Sequence, residues 1–156
     1  MTYKFGVAVV LGLVSVTVAA TPAAGIIKRF EGFRARAYRD VNGWSVGYGH
    51  VVQPGEPRHV TEPQASRKLS DDIVLREQVV AKLVRVPLTT SQKAALTSLI
   101  YNIGEGAFRH SALLKKLNQR DYTGARKEFV HWNRAGGKVL PSLTARRRAE
   151  AALFGS

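Results

Sequence analysis

The sequence predicts an α+β fold in which a small strand-containing lobe is joined by a long helix to an all-helical lobe. Residues 33–60 place Asn-Gly and Pro-Gly turn signals between aromatic and β-branched positions, which is typical of short strands. Thr61 followed by Gln64 forms a capping box that opens a helix running to about Val84. Beyond it, apolar residues recur at helical spacing, which predicts the second lobe.

These signals divide the chain into segments. We assign residues 28–60 to the α+β lobe, residues 61–86 to the connecting helix and residues 87–156 to the helical lobe. Thr89 with Gln92 repeats the capping box and predicts a helix that ends at Gly104. Three shorter helices, ending near Leu117, Trp132 and Phe154, are expected from the candidate caps Ser111, Asp121 and Ser142.

The composition limits the classes of function. The chain has 156 residues, 24 Lys+Arg against 11 Asp+Glu, a formal net charge of +13 and no cysteine. Without cysteine, disulfides, thiolate zinc sites, iron–sulfur clusters and a cysteine nucleophile are excluded. The basic excess is spread along the chain and indicates a polyanionic partner or an anionic surface, such as nucleic acid, membrane or cell wall.

The N-terminal segment is apolar. Residues 5–27 contain no charged side chain, and as a helix these twenty-three residues would extend about 34 Å, enough to span a bilayer. Three interpretations remain open: an uncleaved membrane anchor, a signal peptide cleaved after Val18-Ala19-Ala20, and a buried core helix. We favour an anchor that inserts only weakly, because the apolar run continues past the cleavage site and is rich in small residues.

Motifs for several kinds of chemistry are missing. The four histidines show neither an HExxH motif nor a paired short spacing, so we expect no metal site and no cofactor. The Gly47-Tyr48-Gly49 triplet lacks the further glycine of a dinucleotide-binding loop and predicts a tight hairpin turn. Ser45 lies in the string Gly43-Trp44-Ser45-Val46-Gly47, which matches GxSxG, but residues 33–60 have the pattern of short strands and turns rather than the strand-to-helix elbow of a serine nucleophile. Carboxylates are therefore the remaining candidates.

Glu31 and Asp40 suit acid–base chemistry. Glu31 falls near the end of a predicted helix among apolar and aromatic neighbours, where desolvation favours the protonated form that a general acid needs. Asp40 opens a turn among donors and cations that favour its ionised form. One protonated and one ionised carboxyl group are the pair used in glycoside hydrolysis. From these residues alone, however, a surface glutamate and a turn aspartate remain the simpler interpretation.

The surrounding string is more specific. Phe-Glu-Gly-Phe-Arg-Ala-Arg-Ala-Tyr-Arg-Asp at residues 30–40 is followed by Gly-Trp-Ser-Val-Gly-Tyr-Gly-His at residues 43–50. This order resembles the active-site signature of the phage-type lysozymes, the endolysins. The resemblance covers residues 26–154 and includes helical-lobe motifs at residues 92–96, 101–104 and 108–117, Trp132, residues 135–138, and Arg146-Arg147-x-x-Glu150.

The resemblance implies a lysozyme-like fold and cleavage of the β-1,4 bond between N-acetylmuramic acid and N-acetylglucosamine in peptidoglycan. Glu31 would protonate the leaving oxygen, and Asp40 would act as a base toward water or stabilise the oxocarbenium-like transition state. Ser45 stands where the family has threonine, one residue closer to the aspartate than usual, and its hydroxyl group is expected to position the water.

Two further residues are assigned to substrate binding. Arg146 matches an arginine of the last helix that pairs with the catalytic glutamate in the family, and the alternative is a solvated basic run over residues 146–148. Asn102 is a candidate sugar contact or an amide that caps a helix end. His50 fits a structural hydrogen-bonding role better than a catalytic one.

Endolysins of the signal-anchor-release kind carry an uncleaved, Gly/Ala-rich N-terminal span. The resemblance therefore implies that residues 1–27 form such a segment, tethering the enzyme inactive to the host inner membrane through residues 5–27. The catalytic domain would face the periplasm and then be released into it, and release would let residues near 21–30 form the helix that presents Glu31. We expect peptidoglycan as the partner, a monomer, and no specific nucleic acid.

Three other classes remain as alternatives. A lytic transglycosylase would act on the same bond with one glutamate. A basic membrane-perturbing protein would lyse cells without an enzymatic reaction. A nucleic-acid-binding module fits the charge, although no helix-turn-helix, zinc-finger or aromatic RNA-binding motif accompanies it.

Overall fold

The computed structural model describes residues 21–40 and 43–156. Most of the predicted membrane segment, residues 1–20, and residues 41 and 42 lie outside this range. The strands of the described chain are β1 (Arg34–Asp40), β2 (Gly43–Gly47), β3 (His50–Val51), β4 (Arg134–Ala135) and β5 (Lys138–Val139). The helices are α1 (Pro22–Glu31), α2 (Glu62–Leu83), α3 (Thr90–Arg109), α4 (Ala112–Asn118), α5 (Tyr122–Glu128) and α6 (Pro141–Phe154).

Helix α1 begins inside the segment predicted to be a membrane anchor. The Thr21 hydroxyl accepts the Ala24 N–H as an N-cap, and Pro22 occupies the first turn, where its missing N–H leaves no hydrogen bond unmade. Ala23, Ala24 and Ile27 are buried in the core. Residues 22–27 are thus part of the folded lobe here. No helix in the described chain is long and apolar enough to cross a membrane.

A three-stranded antiparallel sheet in the order β1-β2-β3 follows α1. In its register Tyr38 lies opposite Ser45 and Asp40 opposite Gly43. Asp40 and Ser45 are therefore diagonal neighbours on one face of the sheet, since side chains two apart share a face. The strand register brings together two of the residues assigned to catalysis.

The predicted capping boxes are confirmed. Thr61 and Gln64 cap each other at the start of α2, which ends at Leu83, and Thr89 and Gln92 do the same for α3. Gly104, predicted to end α3, has a φ of 85° and breaks the helical geometry, but helical turns resume and continue to Arg109. The break lies in the wall of the cleft described below.

The last predicted cap is wrong. Ser111 and Asp121 do cap α4 and α5 through their side chains, but α6 starts at Pro141, with Leu140 at the cap position and no side-chain cap bond. Proline begins this helix one residue before Ser142 because its fixed φ fits the first turn. Helix α5 also ends earlier than predicted, at Glu128, and a 3₁₀ turn covers Phe129–His131.

Two clusters of buried apolar side chains form the hydrophobic core. One packs α1, the sheet and α2 around Ile27, Val46 and Leu69, and the other packs α3 to α6 around Leu99 and Phe108. Burying each such side chain stabilises the fold by roughly 1.5–3 kcal/mol. Helix α3 contributes to both clusters and therefore joins the lobes.

Candidate active site

Glu31 is the last residue of α1, and Arg146 of α6 contacts it directly. Arg146 Nη1 donates to Glu31 Oε1 at 2.6 Å, across 115 residues of sequence. Arg146 is 3% exposed, whereas the Glu31 side chain is 21% exposed. The structure thus brings these two predicted residues together, with the arginine behind the carboxyl group.

This burial corrects two expectations about Arg146. The alternative of a solvated basic run over residues 146–148 is wrong, because Arg146 and Arg147 are buried and only Arg148 is exposed. Direct substrate binding by Arg146 also does not fit, since so little of the side chain reaches solvent. Its contact is with Glu31.

The other oxygen of Glu31 faces Gly49, in the turn between β2 and β3. A methyl group on Gly49 would lie 3.2 Å from Glu31 Oε2 and 3.7 Å from the Tyr101 ring. Gly49 also has a φ of 86°, a conformation that side chains other than glycine rarely adopt. Glycine at this position leaves room beside Oε2, on the side where Gly49 lines the cleft.

Asp40 and Ser45 form the second half of the site. Ser45 is fully buried on β2, and its hydroxyl group donates to Asp40 Oδ2 at 2.6 Å. Because this proton is directed at the carboxylate, Ser45 supports Asp40 rather than presenting its hydroxyl group to solvent. The position expected for the family's threonine is thus filled by a residue that holds the aspartate.

A cleft of about 650 Å³ opens beside these residues. Asp40, Ser45, Gly49 and Val51 line it on the sheet side, while α2 contributes Leu75, Arg76, Gln78, Val79 and Lys82 and α3 contributes residues 100–105. Asn102, assigned to sugar contact, is exposed within this α3 stretch. A cleft of this volume with polar groups on both walls suits a saccharide chain.

Nearby carboxylates affect the pKa values of two tyrosine side chains. Burial, followed by the charge of Glu31, raises the pKa of Tyr38, and Asp40 adds to the effect. Burial likewise raises the pKa of Tyr101, to which Asp72 and Glu31 contribute. Both phenols therefore stay neutral at physiological pH. The Tyr101 hydroxyl donates to the Tyr48 carbonyl oxygen at 2.8 Å and ties α3 to the turn that carries Gly49.

His50 lies in a network that we call the His50 cluster, formed by His50, Glu56, Lys68, Asp72 and Arg76. His50 Nδ1 lies 2.8 Å from Asp72 Oδ2, and its Nε2 lies 2.9 Å from Glu56 Oε2. Lys68 pairs with Glu56, and Arg76 pairs with Asp72. The hydrogen bond with Asp72 is the main cause that raises the pKa of His50, against the opposing effect of burial. The cluster fastens β3 to α2.

Several of these residues were missed from the sequence. Arg76 and Lys82 line the cleft from α2, and Tyr101 lines it from α3. Residues 75, 78, 79 and 82 recur at helical spacing, so periodicity alone marks them as one face of α2. Nothing in the sequence shows that this face turns toward Glu31. No group of three or more metal-binding side chains occurs in the described ranges.

The two-lobed fold, with a glutamate at the end of its first helix beside a cleft and an aspartate on the adjoining hairpin, defines a lysozyme-like protein. A family model described as phage lysozyme matches residues 28–150. The chain belongs to the phage lysozyme family, whose members are hydrolases that degrade peptidoglycan. Its fold and its resemblance to endolysins, both expected from the motifs, are thereby confirmed.

Individual relatives agree with this assignment. The chain is 45% identical over 136 residues to an endolysin of Acyrthosiphon pisum secondary endosymbiont phage 1, covering 84% of this chain and 93% of the relative. It is 40% identical over 118 residues to a SAR-endolysin of Escherichia phage Mu, covering 75% of this chain and 69% of the relative. The muramidase domain of SpmX from Asticaccaulis excentricus superimposes with a TM-score of 0.80 at 34% identity, covering 89% of this chain and 97% of that domain.

Proposed function

We propose that the chain hydrolyses the β-1,4 bond between N-acetylmuramic acid and N-acetylglucosamine, with Glu31 as the acid and Asp40 as its partner. The observation that carries the proposal is the placement of Glu31. Arg146 holds Oε1 at 2.6 Å, while Oε2 faces Gly49 at the cleft. A carboxyl group that is held through one oxygen, with the other facing a glycine that lines a saccharide-sized cleft, supports a role as proton donor.

In this mechanism Glu31 passes its proton to the glycosidic oxygen as the bond from that oxygen to the anomeric carbon breaks. Asp40 then acts as a base toward the attacking water or stabilises the oxocarbenium-like transition state. Ser45 keeps the Asp40 carboxylate oriented through the 2.6 Å hydrogen bond. Both roles of Asp40 require an ionised carboxylate.

The test is mass spectrometry of the products released from purified peptidoglycan. The parent chain is expected to generate new reducing muramic ends, and Glu31→Gln is expected to lower the rate about 10²- to 10⁴-fold, the usual contribution of general acid catalysis. Glu77→Gln is a matched control, since Glu77 pairs with Lys93 and is not itself one of the residues that line the cleft. Equal rates for the parent and Glu31→Gln would refute the proposal.

The same experiment separates hydrolysis from a transglycosylase reaction. Anhydro sugar products, with activity retained in Asp40→Asn, would indicate the transglycosylase. Reducing ends that disappear in Asp40→Asn would indicate hydrolysis with two carboxylates. Asp71→Asn, at an exposed position of α2, controls for the loss of one negative charge.

We propose further that residues 5–27 tether the enzyme to the inner membrane in an inactive state, with its catalytic domain facing the periplasm. Similarity to a SAR-endolysin supports this, as does the composition of the segment. The packing of α1 gives a physical reason for inactivity. Ala23, Ala24 and Ile27 cannot lie in the bilayer and in the core of the sheet lobe at once. Tethering would therefore withdraw the helix that ends at Glu31.

This second proposal is tested by comparing the full chain in lipid vesicles with the same chain after it has left the membrane. Peptidoglycan cleavage is expected only from the membrane-free fraction, and a chain that begins at Thr21 is expected to be active without release. Equal activity of the vesicle-bound and the free chain would contradict the proposal.

A further inference from the structure

A buried ionic cluster includes Arg146, and the mechanism above assigns no task to its other members. It consists of Arg146, Arg147 and Glu150 on α6 and Ser98 on α3, and we call it the α6 cluster. Arg147 and Glu150 have no exposed surface. Taking a charged group out of water costs several kcal/mol, so such groups are retained where they make specific contacts. The arrangement of this cluster suggests what those contacts do.

Glu150 is the centre of the cluster. Its Oε1 accepts from Ser98 Oγ at 2.7 Å, from Arg147 Nη2 at 3.1 Å and from Arg146 Nε at 3.2 Å. Arg147 Nε lies 2.8 Å from Glu150 Oε2, but neither atom has an aligned hydrogen-bond partner among the described residues, so this contact is an ion pair only. Burial raises the pKa of Glu150, and contacts with Arg147, Ser98 and Arg146 oppose the rise. Two guanidinium groups in direct contact keep it a carboxylate at neutral pH.

Each nitrogen of Arg146 has a separate partner. Nε donates to Glu150, Nη2 donates to the Ser98 carbonyl oxygen at 3.3 Å, and Nη1 donates to Glu31. The guanidinium group is a rigid planar fork, so fixing two of its nitrogens fixes the direction of the third. The position of Nη1, and with it that of Glu31 Oε1, thus depends on Glu150.

The charges also balance. Arg146 and Arg147 carry two positive charges, and Glu31 and Glu150 carry two negative charges when both are ionised. Without Glu150, both guanidinium charges would act on Glu31 and hold it ionised, which is the wrong state for a proton donor. With Glu150 in place, one of the two positive charges is cancelled.

We propose that Glu150 is a positioning residue for Glu31: it orients Arg146 through Nε and cancels the charge of Arg147, which keeps Glu31 able to hold the proton that it donates. The proposal rests on the function of Glu31 proposed above. It assigns to a side chain without exposed surface an effect on the pH at which the enzyme works.

The test compares profiles of kcat/KM against pH on purified peptidoglycan. Glu150→Gln keeps the shape and loses the charge. In this variant the alkaline limb of the pH profile, where Glu31 gives up its proton, is expected to move to lower pH by about 1 unit. At a given pH on that limb, kcat/KM is then about tenfold lower. Arg147→Gln removes a positive charge and is expected to move the limb in the opposite direction. The double variant Glu150→Gln/Arg147→Gln is expected to return it toward the parent position.

Two controls separate charge from folding. Glu150→Asp keeps the charge and is expected to keep the limb in place while lowering the rate. Glu128→Gln removes another mostly buried glutamate, whose ion pairs are with Lys116 and His131 rather than with the arginines of α6. It is expected to lower the melting temperature without moving the limb. Among the described residues, Arg146 pairs with Glu31, the side chains of Arg147, Tyr38 and Tyr101 interact with its charge, and Asp40 acts on Tyr38.

A purely structural Glu150 would lower activity at every pH in step with thermal stability and leave the limb unmoved, which would overturn the proposal. If Glu150→Gln fails to fold, an unmoved limb in Arg147→Gln would overturn it equally. A ¹³C chemical-shift titration of the Glu31 side chain follows the same displacement without activity. If that titration moves as expected while Glu31→Gln remains fully active, the contact with Glu150 stands and the role of Glu31 as the acid fails.

Discussion

The α6 cluster and the His50 cluster support the site from different sides, and solvent reaches them to different degrees. Arg147 and Glu150 have no exposed surface, whereas the side chains of the His50 cluster are between 12% and 29% exposed. The α6 cluster is built from arginines and a glutamate, so its charges stay fixed across neutral pH. The His50 cluster contains a histidine, whose charge changes in that range. One cluster therefore supplies a constant field, and the other a contact whose strength depends on pH.

The clusters also act on different parts of the site. The α6 cluster ends at the carboxyl group of Glu31. The His50 cluster holds β3 against α2, and Gly49, which leaves space for Glu31, directly precedes His50. We expect substitutions in the α6 cluster to alter both the catalytic chemistry and the stability of the fold. Substitutions in the His50 cluster are expected to alter mainly stability. Four predictions follow that comparison from the largest effect to the smallest.

Arg146→Ala is expected to have the largest effect. It leaves Glu31 without its partner and removes one of the two cations that neutralise the buried Glu150. Breaking a buried ion pair from one side costs about 3–5 kcal/mol of the free energy of unfolding, which urea denaturation at pH 7 would measure. Arg148→Ala, at an exposed position of the same helix, is the control and is expected to change that free energy by less than about 0.5 kcal/mol. Similar losses for both would show that the ion pairs of Arg146 do not stabilise the fold.

Asp72→Asn should have the next largest effect and should depend on pH. The pKa of His50 is raised in the folded state above its ordinary value of 6.5. The contact between protonated His50 and Asp72 therefore contributes its full stabilisation below pH 6.5. This contribution is lost as the pH rises through the pKa that His50 has in the folded state. We expect a loss of about 2–3 kcal/mol at pH 6 that narrows by pH 9, measured by urea denaturation. Asp71→Asn, on the exposed neighbouring position, is the control. A loss of equal size at both pH values would contradict the assignment to His50.

Gly49→Ala connects the two clusters. The new methyl group would lie 3.2 Å from Glu31 Oε2, and the residue would keep a φ of 86°. We expect a loss of roughly 1–2 kcal/mol in stability from the left-handed backbone and a fall of about tenfold in kcat/KM from displacement of Glu31. Gly55→Ala, at a φ of 85° with open space around it, is the matched control and is expected to lose stability only. Equal kcat/KM in the two variants would show that the space beside Glu31 is unimportant.

Glu56→Gln should have the smallest effect and should act at acid pH. The Gln53 N–H, together with Lys68 and His50, lowers the pKa of Glu56 from 4.5 to about 2. Its contribution to stability is therefore present above pH 4.5 and is lost as pH falls toward 2. Because the side chain is partly solvated, we expect less than about 1 kcal/mol at neutral pH. Urea denaturation between pH 5 and 2 would check that the variant's stability falls less steeply with acid than the parent's.

The sequence predicted best what local rules determine. The two capping boxes and the end of α1 at Glu31 depend on residues a few positions apart, and the structure has them as predicted. Ser142 was predicted as a cap because hydroxyl residues favour that position, but the neighbouring Pro141 determines the start of the helix more strongly. The motifs also placed Glu31, Asp40 and Ser45 in one lobe.

Contacts between distant segments of the chain could be predicted only through the family resemblance, and some could not be predicted at all. The pairing of Arg146 with Glu31 was expected from the last-helix motif, since no local pattern relates two residues so far apart. Glu150 was noted only as part of that motif, and its contacts with Ser98 and two arginines depend on how α6 packs on α3. The sequence likewise did not predict which face of α2 lines the cleft, because periodicity identifies a face of the helix but not the part of the molecule that it faces.

Pro22 has opposite effects in two arrangements of the same residues. At the first turn of α1 it fits without loss, following the Thr21 cap. In the proposed tethered state, one continuous helix over residues 5–27 would place the same proline in its interior, where it kinks the helix at a cost of about 3 kcal/mol. If the proposed tethering holds, this single imino acid would bias the equilibrium between membrane and periplasm toward departure, and its replacement by alanine is expected to lengthen residence in the bilayer and delay the onset of lysis.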